Sequence, residues 1–140
     1  MANGRYNVAI GLLGLAWFMV LGFVLIYARD VAPGRAQWIT EAASGKHFET
    51  TLAHVHGALF STLNIAIGLT LARTSAADTQ RRIIAWLALG GLLMPIGILA
   101  EVIFGLPPVL VIVGALSIMT ALLWLGITWL RAAPRASSLS

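Results

Sequence analysis

The stretch YNVAIGLLGLAWFMVLGFVLIYA, residues Tyr6 to Ala28, runs without one charge until Arg29 and Asp30 close it. A hydrocarbon layer about 30 Å thick takes roughly 20 apolar residues of helix to cross, and this stretch meets that length. It is longer than the roughly 7–15 apolar residues of a signal-peptide core and ends without a clear small-x-small cleavage site, so it reads as a retained helix. Three further stretches follow the same pattern. Thr50 to Ala72 ends at Arg73; Ile83 to Phe104 follows Arg81 and Arg82 and contains Glu101; Pro108 to Leu130 ends at Arg131. The expected fold is an all-α, integral membrane four-helix bundle, a single domain over residues 1–140 with helices at about 7–28, 50–72, 83–104 and 108–130.

Composition agrees with that reading. Hydrophobic residues make up 59% of the 140 residues and charged residues 10%, and the mean hydropathy is +0.91. A soluble domain of this size could not hide so much apolar surface in one core. The sequence pI of about 10.8 does not indicate nucleic acid, because the basic residues are scattered at helix boundaries. Arg5, Arg73, Arg81, Arg82, Arg131 and Arg135 fall on one side of the four stretches, whereas Arg29, Arg35 and Lys46 fall on the other. The positive-inside tendency then places both termini in the cytoplasm, which in a bacterial cell makes this a multi-pass protein of the inner membrane.

The connection 29–49 is the one long loop, and it is expected outside. Trp38 and Ile39 suggest that it returns to the membrane surface, because tryptophan favours the interfacial level. The other turns are short, and Gly105-Leu106-Pro107-Pro108 forms a corner. Pro95 with Gly97 is expected to kink the third helix. The tail Arg135 to Ser140 reads as disordered. Cysteine is absent, which removes disulfides, thiolate metal sites and cysteine nucleophiles. Walker, dinucleotide-binding, Gly-x-Ser-x-Gly and His-Glu-x-x-His motifs are absent too.

Chemistry would therefore come from polar groups inside the apolar stretches, where they are costly to bury. The second stretch carries His54, His56, Ser61 and Asn64, the third carries Glu101, and the first ends with Tyr27. At about 100° per residue, His54 and His56 are about 200° apart and cannot chelate one metal from a regular helix. Ala58, Ser61, Gly68 and Ala72 lie within about 40° of His54, with Gly57 and Asn64 at the flank. Such a small, polar face suits a helix or subunit contact, or leaves room for a flat cofactor. His56 shares its side with Phe60, Leu63 and Ile67, as a lipid-facing or cofactor-lining wall would. By helix rise, His54 lies about 6 Å from the start of its stretch and Glu101 about 27 Å from the start of the third, which puts Tyr27, His54, His56 and Glu101 in one layer. Asn64 lies about 15 Å deeper than His54. His47 falls in the loop and is the weakest histidine candidate.

Each of these residues also has a plainer role. Tyr27 suits an interfacial anchor, Glu101 a carboxylate reaching out to water, and Asn64 a hydrogen-bonding contact between helices.

The four-helix plan, the long outer loop, the Ala53-His54 pair, the small residues and asparagine after it, and the Phe104-Gly105-Leu106-Pro107 corner together resemble the styrene oxide isomerases. That family comprises small membrane haem proteins. The resemblance implies haem b ligated by His54, a trimer with the haem at a subunit interface, and Lewis-acid rearrangement of a small apolar epoxide to an aldehyde. Two positions depart from the family's pattern. Phe60 stands where the family has its asparagine, with Asn64 a turn further on, and Leu93 to Glu101 lacks the family's tyrosine. The resemblance thus implies haem binding more strongly than epoxide isomerisation. On this reading His54 is the metal ligand, with His56, Ser61 and Asn64 beside the cofactor and Asn64, Glu101 and Tyr27 as catalytic candidates. Two other classes stay open: a small transporter relaying protons through His54, Asn64 and Glu101, and a non-catalytic accessory subunit.

Overall fold

The structure is a computed structural model that describes residues 4–131. It is helical throughout its regular elements: α1 (Arg5–Asp30), α2 (Arg35–Thr40), α3 (Gly45–Leu71), α4 (Asp78–Gly90), α5 (Leu93–Phe104) and α6 (Val109–Arg131). Among the described residues, α1, α3, the combined α4–α5 segment and α6 are long and apolar enough to cross a membrane. The tail read as disordered lies outside the described residues.

The helices run past the apolar stretches that reveal them in the sequence. Asp30 ends α1 and Gly45 begins α3, because hydropathy marks only the apolar part of a helix, and Arg29, Lys46 and Glu49 are good helix formers. The connection is consequently 31–44, shorter at both ends than the expected 29–49, and the six residues of α2 lie within it. His47 belongs to α3, not to the loop. His54 lies nine residues into α3, about 14 Å along it and not the expected 6 Å.

The break in the third span sits a turn before Pro95. α4 ends at Gly90 and α5 begins at Leu93, because the proline ring displaces the carbonyl of the residue four before it, here Gly91. That carbonyl instead accepts a tighter bond from the Met94 N–H at 3.1 Å. Pro95 itself is buried. At the other end of α5, Gly105 takes a left-handed φ of 66°, a cap that glycine adopts without strain and that turns the chain into Pro107-Pro108.

The core lies between α3, α4 and α6, where Phe60, Ile67, Leu71, Ile84, Ala88, Ile118, Ala121 and Leu125 pack together. Phe60 and Ile67 are thus core residues, so of the two walls expected from the sequence, lipid-facing or cofactor-lining, the His56 side of α3 is not the lipid-facing one. The small-residue side of α3 packs on α1. The Phe18 ring fills the notch at Gly57, where a Cβ would collide with it. Ser61 sits against Gly14, and Gly68 against Gly4. Glycine on both helices brings the backbones close, the packing mode available to helices in lipid, where apolar side chains gain nothing by leaving their surroundings. α1 otherwise buries little: Asn7, Gly11 and Phe18 are its buried residues, while Leu13, Trp17 and Phe23 are exposed.

Candidate functional site

The α1–α3 contact is tight from Gly4 to Phe18 and opens beyond it toward the α2 end. The antiparallel helices are in register, with Gly22 opposite His54; a Cβ at residue 22 would lie 2.8 Å from the imidazole Cε1. From that level a cleft of about 470 Å³ extends between Met19, Phe23 and Ile26 of α1 and His47, Thr51 and His54 of α3, with Arg29 at its end. Its walls are mostly hydrocarbon.

His54 is locked across the helix pair. Its Nδ1 lies 2.7 Å from the backbone carbonyl of Phe18. A carbonyl can only accept, so Nδ1 carries the proton and donates it, which in the neutral form of the ring leaves the lone pair on Nε2. The sequence explains why that carbonyl is within reach. A helical side chain covers the turn N-terminal to its own Cα, and Gly22, one turn after Phe18, has none. A histidine whose Nδ1–H is tied to a backbone carbonyl and whose Nε2 is unprotonated is in the tautomer and orientation that metal-ligating histidines adopt. Among the described residues no three His, Asp or Glu side chains converge as a metal cage, so a metal held here would take one protein ligand and its other donors from elsewhere, as a porphyrin provides.

His47 lies two turns from His54 on the same side of α3 and lines the same cleft. Its Nδ1 donates to the Trp38 carbonyl at 2.6 Å, and its ring stacks on the Trp38 indole with centroids 4.4 Å apart and planes 18° from parallel. α2 is thereby tied to the first turn of α3. Trp38 works as a platform for a histidine.

The remaining candidates do not share the cleft. His56 donates from Nδ1 to the Leu52 carbonyl within α3 at 2.9 Å and meets the edge of Phe60 at 5.9 Å between centroids, on the core side. Ser61 is fully buried with its hydroxyl unpartnered, packed at Gly14 and below the opening. Tyr27 is exposed and lies five residues beyond Gly22, about 7 Å nearer the α2 end than His54. Glu101 is half-buried in the last turn of α5 and makes no ion pair among the described residues. The four-residue layer expected from the sequence is therefore not a single site.

Asn64 belongs to a separate, fully buried junction. Asn7, which the sequence reading did not single out, donates from Nδ2 to Asn64 Oδ1 at 2.9 Å and to the Ala85 carbonyl at 2.8 Å. Asn64 donates to the Phe60 carbonyl at 3.0 Å and to the Ala88 carbonyl at 2.9 Å. Both amide hydrogens of Asn64 are spent within the protein. The pair joins α1, α3 and α4 and leaves neither side chain a free donor. No family model matches the chain, and neither a curated protein nor a solved structure matches it.

Proposed function

We propose that this protein is a multi-pass membrane protein that holds haem b on His54 Nε2 in the α1–α3 cleft and acts on a small apolar molecule. The observation that carries the reading is the Nδ1 bond of His54 to the Phe18 carbonyl. It selects the ligating tautomer and fixes the ring in a cleft whose hydrocarbon walls suit a flat macrocycle. Gly22 supports it further, since any larger residue there would push into the imidazole.

The protein's own contribution is orientation and exclusion of water. Phe18 holds the imidazole from α1, and the Gly57 notch fixes Phe18 in turn. Met19, Phe23 and Ile26 would offer a bound macrocycle an apolar surface. Haem, when bound, supplies an iron able to act as a Lewis acid, to bind a small gas or to change oxidation state. Rearrangement of an epoxide is the reaction that the resemblance to styrene oxide isomerases implies, and its substrate class is small and apolar.

Four apolar helices with Leu13, Trp17, Phe23, Leu123 and Leu130 exposed support insertion in a bilayer, since a patch of this size is not left to water. The arginines at the end opposite α2 support cytoplasmic termini and an inner-membrane location. A cleft that opens sideways beside a sparsely buried α1 supports closure by a second copy, and a trimer is the stoichiometry that the resemblance implies. The test is optical. Protein purified in mild detergent from haem-replete cells should carry a Soret band and migrate as an oligomer. A colourless protein that also fails to take up added haem would overturn the assignment.

A further inference from the structure

The cleft has one polar end, and its chemistry is not that of the iron ligand. Arg29 follows Gly22 by two turns on α1, and His47 precedes His54 by two turns on the antiparallel α3, so the register that pairs Gly22 with His54 also pairs Arg29 with His47. Each lies about 10 Å along its helix from the ligand level. Thr51 lies between on α3 and lines the same wall. Thr50 and Thr62 return their hydroxyls to the carbonyls of Lys46 and Ala58, whereas Thr51, which lines the cleft, makes no such bond among the described residues.

Arg29 is not consumed by its neighbour. It donates from Nε and Nη2 to the Asp30 carboxylate at 2.7 and 2.9 Å, and the side chains are 58% and 48% exposed. A solvent-exposed pair holds its partners weakly, so the guanidinium can be shared with a second carboxylate. His47 is held rigidly by Trp38 through Nδ1, so only Nε2 is left to face a ligand.

We propose that Arg29 and Thr51, with His47 walling the same end, form a carboxylate-binding subsite for the cleft's occupant, which is thus an anionic amphiphile whose apolar plane lies on Met19, Phe23 and Ile26. This rests on the reading of His54 as haem ligand and extends it, because haem b is a flat, apolar macrocycle with two carboxylates on one edge. The ligand nitrogen fixes the iron, while the Arg29 end fixes which edge of the ring faces the α2 side. Without the second anchor the macrocycle would be free to rotate about the His54–iron axis.

The experiment is a titration of apoprotein in detergent with haem and, separately, with haem dimethyl ester, which keeps the iron and the plane but lacks both negative charges. Binding is read from the Soret shift. The wild type should bind the ester roughly tenfold more weakly than the free acid, the size of one hydrogen bond to a charged group. Arg29→Gln should weaken the acid to the level of the ester and leave the ester unchanged. Arg29→Lys should recover part of the loss, and Arg35→Gln, outside the cleft, should alter neither. Equal affinities of the wild type for acid and ester, or an Arg29→Gln loss shared equally by both, would overturn the subsite while leaving His54 ligation standing. No Soret shift with either compound would overturn the ligation reading and the subsite with it.

Discussion

A single hydrogen bond sets what His54 can do. Its Nδ1–H is committed to the Phe18 carbonyl at 2.7 Å, so the ring cannot shuttle protons through that nitrogen without breaking an interhelical bond. Gly22 makes the bond possible. Gly22→Val should displace the imidazole, because the new Cβ alone would lie 2.8 Å from Cε1. The expected outcome is loss of the Soret band with helical content by circular dichroism unchanged. Asn64 gives the opposite expectation. Asn64→Leu leaves Asn7 and the Ala88 carbonyl short of partners, and should cost about 1–2 kcal/mol of stability in detergent. It should leave haem binding intact, because its side chain is about 15 Å along the helix from His54. A Soret band lost in Asn64→Leu at full stability would make Asn64 a site residue after all. That Asn7 is its partner was not legible in the sequence. A lone asparagine in the first turn of an apolar helix reads as a boundary residue until its neighbour on another helix is known.

At the scale of elements, the site depends on how α1 sits on α3. The Phe18 ring in the Gly57 notch is the interlock that sets the height of Gly22 opposite His54. Gly57→Leu should therefore separate the two helices and lower both the thermal midpoint and haem occupancy. Phe18→Ala alone should cost about 3–5 kcal/mol as a large-to-small core change. Combined with Gly57→Leu it should be better tolerated than the single changes predict, since the new leucine fills the space that the ring vacates. Additive losses in that double variant, measured by unfolding in detergent, would mean that the two residues do not share one notch. The helices themselves were legible from uncharged length. Their ends were not, since hydropathy is blind to the charged turns at Asp30 and Gly45–Glu49. This is why His47 reads as a loop residue in the sequence and stands on α3 in the structure. The small-residue face around His54 was also legible, but not that most of it is taken up by α1. Only the part beyond Phe18 opens into a cleft.

For the whole molecule, the expectation is a bundle with its α2 end outside and its arginine-rich end in the cytoplasm. The chain has no cysteine, so single cysteines at Ser44 and Ser138 can be labelled without background. An impermeant maleimide should reach position 44 in intact cells and position 138 only after the membrane is opened. Reaction at 138 in intact cells would reverse the topology. The four long apolar helical segments were readable because length and hydropathy mark them in the sequence, even where the third is broken before Pro95. Of the candidate site, only the histidines were readable, because tautomer, cleft and register depend on the facing helix.

The proposed role of His54 as iron ligand is measured most directly by haem content per protein, read from the Soret band of three variants purified side by side with the wild type. His54→Ala should lose the band, since a macrocycle without its axial nitrogen is held by packing alone. His56→Ala should keep it, because that ring lies on the core side. His47→Ala should keep the band with weaker retention. A band retained in His54→Ala and lost in His56→Ala would contradict the assignment.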